Sequence, residues 1–271
     1  MNILDEIIAY KHREVALQKE RVSIRSLESG VFFSRSTLSL AQSLRAPGGS
    51  GIIAEIKRKS PSQGIIHPDV YVERIAAGYT NAGAAGLSIL TDSKYFGGSN
   101  EDLSNAKNLV SVPILRKEFV VDEYQIMEAK SIGADVILLI AAALSPAQIS
   151  QFTKSAHALG MEVLLEVHNE RELEQNCESE ADFIGVNNRN LKTFEVSVKI
   201  SRRLIEKIPS RFVKISESGI DSVKTVRELK DLGFDGFLMG QNFMKHRNPE
   251  GACKAFIMEL TTGQLKTEDP S

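Results

Sequence analysis

The chain has 271 residues, a formal net charge of −2, two cysteines and no tryptophan. That balance argues against a nucleic-acid partner or an anionic membrane surface, and Cys177 and Cys253 stand apart without a CxxC or ligand cluster, which excludes a disulfide framework or a zinc site. The longest apolar run, VILLIAAAL at 136–144, is too short to cross a bilayer, so a cytoplasmic protein with no membrane partner is expected.

In chain order, MNILDEIIAYKHREVALQKERVS reads as a charged amphipathic helix over roughly 3–21, with acids near its start, rather than a signal peptide. A weaker segment follows through 45, then the flexible PGGSG at 47–51. Residues 1–50 therefore read as a helical extension packing on the remainder. Beyond it, apolar β-branched runs recur: GIIAEI (51–56), GLSIL (86–90), VPILR (112–116), DVILLI (135–140), EVLLEV (162–167), DFIGV (182–186), FVKIS (212–216) and DGFLMG (235–240). Their spacing, roughly twenty to thirty-five residues, fits one strand, one loop and one helix per unit. Short runs buried on both faces indicate parallel strands covered by helices.

Helix signals fill the intervals. Pro68-Asp69 opens 68–82, Asp122 caps 122–132, and Ser145-Pro146 opens 146–158 as N-cap and N1 proline. Asn169, Asp221 and Asn248-Pro249 begin the later helices, while Gly83, Gly133, Gly160 and Gly233 stop helices ahead of strands. Eight such units predict an α/β fold, a single (β/α)8 TIM barrel over 51–260 with the N-terminal helical extension, in one domain of 1–271 whose 261–271 form a flexible tail. The alternative, a doubly wound open sheet, would leave two edges and lacks a GxGxxG after strand one.

In a barrel the active residues sit at the carboxyl ends of the strands, and the polar residues of this chain gather there. Strand one ends in Glu55, Lys57 and Lys59, strand three in Lys117-Glu118-Phe119, and strand five in Glu166 and His168. Strand six ends in Asn187 and Arg189, strand seven in Glu217-Ser218-Gly219, and strand eight in Gly240. Alternation puts Glu55 and Lys57 on the face of Ile53, Lys117 on that of Leu115, Glu166 on that of Leu164 and Asn187 on that of Gly185. Facing inward, these charges converge on the barrel mouth. A lone buried charge is costly, so interleaved Lys and Glu keep one another ionised and tune pKa values for proton transfer.

A second signal lies in SESGI (216–220) and MGQNF (239–243), which put glycines directly after strands seven and eight. Those loops bind phosphate in many barrels, which makes Ser218, Gly219 and Gly240 candidates, with Lys59 or Ser60 approaching from strand one. Phe96 and Phe119 become walls for a flat ring. The five histidines, 12, 67, 157, 168 and 246, show no metal spacing; His168 reads as a polar neighbour of the site.

Taken in order, ILDEIIAYKHREV, IIAEIKRKSPSQG, SILTDSKYFGGS, ILRKEFVVDEYQI, GADVILLI, LLEVHNERELE, IGVNNRNLKTFEV, KISESGI and LMGQNFM resemble indole-3-glycerol-phosphate synthase over nearly the whole chain. The resemblance implies a carboxy-lyase of tryptophan biosynthesis. Its small-molecule substrate is a phosphosugar bearing an anthranilate ring, 1-(2-carboxyphenylamino)-1-deoxyribulose 5-phosphate, and no cofactor or metal is required. It further implies Lys117 as general acid, Glu166 and Glu55 as stabilising carboxylates, Lys57 in dehydration, and Asn187 orienting sugar hydroxyls or Glu166. Arg189 would pair with the anthranilate carboxylate, and Phe96, Phe119 and Leu138 would line the ring pocket. Ser218, Gly219, Gly240 and Gln241 would hold phosphate, Gln241 standing where many relatives have serine or glutamate. A monomer or weak homodimer is expected. Two other readings remain open: another phosphosugar barrel, an isomerase or a Schiff-base aldolase using Lys117, and a non-catalytic phosphate-metabolite binding protein.

Overall fold

A computed structural model describes residues 3–191 and 193–263. Eight parallel strands close into a barrel: β1 (Ile52–Ile56), β2 (Gly86–Leu90), β3 (Ile114–Lys117), β4 (Val136–Ile140), β5 (Glu162–Val167), β6 (Phe183–Asn187), β7 (Val213–Glu217) and β8 (Gly236–Met239). Each pairs with its sequence neighbour, and β8 returns to β1 with Leu238 opposite Ile53. The expected (β/α)8 barrel is the fold, and no open edge remains among these strands. β3 starts at Ile114 rather than 112 because Pro113 has no N–H for the ladder, although its carbonyl accepts from the Leu87 N–H.

Most helix signals act where expected. Ser145 caps Pro146–Ala158 in a capping box with Gln148, and Asn169 and Asn248 accept from the first turns of Glu170–Asn176 and Pro249–Thr262. Gly83, Gly133, Gly160 and Gly233 all adopt positive φ at helix ends, where a Cβ would cost energy. Two starts differ. The helix expected from Pro68 begins at Val72 behind Tyr71, and the cap expected at Asp221 is Ser222, whose side chain accepts from Thr225 N. Asp122 stands one residue outside the N-cap Glu123, yet still accepts from Tyr124 N. Of the expected tail, Thr261 and Thr262 finish the last helix and 264–271 lie outside the described residues.

Strand alternation separates two cores. Ile52, Ala54, Leu87, Ile89, Leu139, Leu165 and Val186 face the helix layer. Ile53, Leu115, Val136, Leu138, Leu164, Phe183, Ile215 and Leu238 fill the barrel interior. The extension serves both ends of that interior. Leu40 and Leu44 of a short helix, Leu40–Leu44, join the inner core from below, against Gly86 and Gly236 at the starts of β2 and β8. Glu162 holds this plug by accepting from Ser39 Oγ and from the N–H groups of Leu40 and Ala41. At the other end α1 (Ile3–Arg21) sends Ile3, Leu4 and Ile7 into the mouth.

Leu40 is 1 % exposed, and truncating a leucine so placed leaves a cavity as well as losing its transfer energy. Leu40→Ala is expected to lower the unfolding free energy by about 3 kcal/mol, measured by urea denaturation, with turnover little changed because the plug lies at the far end from the mouth.

Candidate active site

The inward residues at the carboxyl ends of the strands bound a mouth cavity of ≈ 160 Å³. At its floor the Lys117 ammonium, projecting from the end of β3, donates to Glu166 Oε2 at 2.8 Å and to Glu217 Oε2 at 2.6 Å. Burial alone would lower the lysine pKa, but Glu166, Glu217 and Glu55 outweigh it and hold the ammonium protonated above its ordinary range. At the end of β1, Lys57 Nζ, one residue past the strand, donates to Glu55 Oε1 at 2.6 Å, and Ser88 Oγ of β2 reaches Glu55 Oε2 at 3.3 Å. Asn187 completes the ring of strand ends and accepts the Arg189 N–H at 3.0 Å.

The two carboxylates on Lys117 are not equivalent. Burial pushes Glu166 up, but Lys117 and then His168 override it and keep the carboxyl well below the usual range. Burial likewise pushes Glu217 up; Lys117 pulls it down, and the Glu166 charge pushes it up again, to about 7. Glu217 therefore changes charge near neutrality, a property associated with proton transfer.

Glycines make room for these acids. A Cβ on Gly185 would stand 2.2 Å from Glu217 Oε1, and one on Gly240 would stand 2.7 Å from Glu55 Oε1. Beyond the floor, Phe96 and Phe119 pack with centroids 5.9 Å apart and face the cavity with Leu138. A buried ion cluster holds this wall from behind. Lys11 of α1, 2 % exposed, pairs with Asp92 at 2.9 Å and Glu118 at 3.0 Å. Asp92 in turn accepts from Phe96 N at 3.1 Å and Glu118 from Phe119 N at 2.8 Å.

A smaller cavity of ≈ 80 Å³ adjoins the first, between the loops after β7 and β8, and is bordered by Arg189, Ser218, Gly219, Gly240 and Gln241. Its turn is unusual: Ser218 has φ 67° and Gly219 φ 71°. A non-glycine residue held there carries strain that surrounding contacts must sustain. Asn188, fully buried, supplies one such contact by donating to the Ser218 carbonyl at 3.1 Å.

The structure thus brings together Glu55, Lys57, Lys117, Glu166, Asn187 and Arg189 at the floor and rim, with Phe96, Phe119 and Leu138 on the wall. Ser60, Ser218 and Gln241 border the same mouth. Lys59 stands apart. The chain leaves β1 at Ile56, Lys59 enters a two-residue ribbon opposite Ile65, and its Nζ donates to the Lys94 carbonyl at 2.7 Å. Sequence reasoning placed Glu217 at a strand end without assigning it a role, although its alternation with Ile215 marks it as inward. It did not find the lid residues Ile3, Leu4 and Ile7, because amphipathy alone does not say what a helix covers.

A closed parallel barrel with alternating ammonium and carboxylate groups in its mouth, beside an aromatic wall and a small polar side pocket, defines an acid–base barrel enzyme. Residues 4–256 match the family model described as indole-3-glycerol phosphate synthase. Two proteins with that name are similar throughout: one from Bacteroides thetaiotaomicron is 48% identical over 96% of this chain and 99% of its own, and one from Neisseria meningitidis is 44% identical over 92% and 96%. A solved 3-hexulose-6-phosphate synthase from Salmonella typhimurium, 12% identical over 79% of this chain and 100% of its own with TM-score 0.62, shares the fold. The chain belongs to the indole-3-glycerol phosphate synthase family, whose members are carboxy-lyases.

Two outcomes test the site. Because the folded Glu217 pKa, about 7, lies above the ordinary 4.5, its stabilising contribution is full below about pH 4.5 and is lost as pH rises through about 7. Glu217→Gln should remove that decline from urea-denaturation free energies measured across this window. Gly185→Ala, which drives a methyl against Glu217, should lower kcat/KM roughly tenfold or more, in line with displacement of an acid–base group, while Tm changes far less.

Proposed function

We propose that this chain makes indole-3-glycerol phosphate from 1-(2-carboxyphenylamino)-1-deoxyribulose 5-phosphate, with loss of carbon dioxide and water. One observation carries the assignment of roles: a buried ammonium, Lys117, lies between two carboxylates at the base of a mouth with the Phe96–Phe119 pair on its wall and the Ser218–Gly219 turn at its side. The anthranilate ring lies against the aromatic wall, and the phosphate sits among Ser218, Gly219, Gly240 and Gln241, whose loop backbones can approach an anion closely. Arg189, bordering both cavities, pairs with the anthranilate carboxylate.

The carboxylate-bearing ring carbon attacks the ribulose carbonyl. As that carbon–carbon bond forms, the carbonyl oxygen takes a proton from Lys117 and becomes a hydroxyl. An alkoxide is far more basic than an amine, so Lys117 donates readily even with its pKa raised. Positive charge developing at the anilinic nitrogen is stabilised by the fixed negative charge of Glu166, with Glu55 adding to it. Carbon dioxide then leaves and its bonding pair restores the aromatic ring. The hydroxyl departs as water while a proton is lost next to the nitrogen. The Lys57–Glu55 pair supplies an acid and a base for this step, and Glu217 is suited to give up and recover a proton in each cycle. Asn187 orients sugar hydroxyls beside Glu166.

Incubating the protein with this substrate should produce indole absorbance; a folded protein that gives none rejects the reading. Borohydride with substrate should leave Lys117 unlabelled, whereas labelling would mark a Schiff-base aldolase. Lys117→Ala should lower kcat by about a thousandfold, the size of a lost general acid, with KM changed little; a raised KM at constant kcat would make Lys117 a binding residue. Gly219→Val, at φ 71° and with its Cβ 2.4 Å from Val196, should weaken binding of substrate and of inorganic phosphate roughly tenfold, on the scale of backbone strain.

A further inference from the structure

The two carboxylates on Lys117 offer four oxygens, of which three have a cation beside them and the fourth has none. Glu166 Oε2 and Glu217 Oε2 each accept from Lys117. Glu166 Oε1 faces a second cation, His168, whose Nε2 lies 3.2 Å away. Glu217 Oε1 has neither a cation nor a hydrogen-bond partner beside it among the described residues, and is buried next to the open backbone of Gly185. A proton added to the cluster can therefore sit on Glu217 Oε1 without displacing an existing cation, whereas on Glu166 it would meet one.

His168 is itself fixed from outside the mouth. Its Nδ1 lies 3.2 Å from Glu172 Oε2, and its backbone N–H donates to the same oxygen at 2.7 Å. The other oxygen of Glu172 is held by Asn169 Nδ2 at 2.6 Å, and Asn169 caps the same helix through Glu172 N. The imidazole is thus a ring between two carboxylates, one on β5 and one on the helix Glu170–Asn176, with a side chain only 8 % exposed. Nδ1 is hydrogen-bonded to Glu172, while Nε2 stands beside Glu166 as an ion-pair contact and makes no hydrogen bond.

We propose that His168, clamped by Glu172, is a positioning residue that keeps Glu166 ionised and directs the cluster's exchangeable proton to Glu217. The inference rests on the assignment of Lys117, Glu166 and Glu217 to the reaction, and it adds the device that makes the two acids unequal. The charged groups bearing on that choice are Lys117 on β3, Glu55 and Lys57 at β1, Arg189 after β6, and Glu172 behind His168. Among them, the imidazolium touches Glu166 and not Glu217. Burial would lower the His168 pKa, but Glu166 and Glu172 reverse this and raise it to about 10, so the imidazole keeps its charge through the pH range in which Glu217 titrates. Such pairs titrate as a unit, and a neighbouring cation decides which member shows the step.

Carboxyl carbon NMR of the glutamate-labelled protein reads this directly and requires no turnover. In the wild type the step near pH 7 should appear on Glu217, with Glu166 flat. In His168→Gln, which removes the charge, part of that amplitude should pass to Glu166. Turnover of the same variant should fall about tenfold below pH 7 and approach the wild type above it, since only the singly protonated state is divided between the acids. Glu172→Gln provides a second route that leaves the mouth untouched: the His168 ring resonances should titrate at least one unit lower than in the wild type, with amplitude passing to Glu166 once the ring is neutral. A Glu166 carbon that stays flat across this range in both variants overturns the proposal. A wild type that shows the NMR pattern but no indole formation overturns the assigned reaction and not the clamp.

Discussion

A charged amine removed from water must be compensated, and the geometry of this molecule around Lys117 follows from that constraint. An isolated buried ammonium would cost several kcal/mol and shed its proton. Here two carboxylates, delivered by β5 and β7 from 49 and 100 residues further along the chain, approach it at 2.8 and 2.6 Å. Neither strand is a sequence neighbour of β3, so the compensation exists only once the barrel has closed. The same closure that buries the inner apolar core creates the site.

Room for that compensation comes from what is missing as much as from what is present. β6 carries Gly185 level with the Glu217 carboxyl, and the turn after β8 carries Gly240 against Glu55. A side chain at either place would push an acid off its cation. Below this layer Leu115, Leu164 and Phe183 fill the interior, so the charges rest on an apolar base. That base keeps the effective dielectric low, which strengthens each ion pair and also raises the cost of any imbalance. Burial first, and then the charges of Glu166 and Glu55, outweigh Lys117 at Glu217, which titrates near neutrality.

Much of this was legible in the sequence because period-two alternation carries through a parallel strand to its last residue. Ile53–Glu55, Leu115–Lys117 and Leu164–Glu166 announce inward charges at the mouth, and the structure places them there. The rule fails where the strand stops. Lys59 continues the alternation on paper, but β1 ends at Ile56 and the backbone turns into a separate ribbon, so its ammonium ends on the Lys94 carbonyl. Helix starts behave alike: Ser145 and Asn169 cap where they stand, while Asp221 yields to Ser222, the residue whose side chain reaches N3. What could not be read was contact between remote surfaces, such as Ile3, Leu4 and Ile7 against the mouth or Lys11 behind the aromatic wall. A helical stripe declares that something is covered, not which strand ends lie beneath it.

The N-terminal extension then reads as part of the site and not an accessory to it. On α1, Leu4, Ile7 and Lys11 recur at intervals of three and four and share one face. The two apolar residues meet the cavity, and the lysine meets the acids that fix Phe96 and Phe119. Lys11 must stay charged to hold Asp92 and Glu118; burial opposes this, and those two carboxylates with Glu14 reverse it, raising its pKa above the ordinary range. The lid and the aromatic wall are therefore one electrostatic unit, because moving the helix away would leave two buried carboxylates without their cation. That cost ties an element ending 93 residues before β3 begins to the Phe119 ring near Lys117, and it holds the aromatic wall in one place.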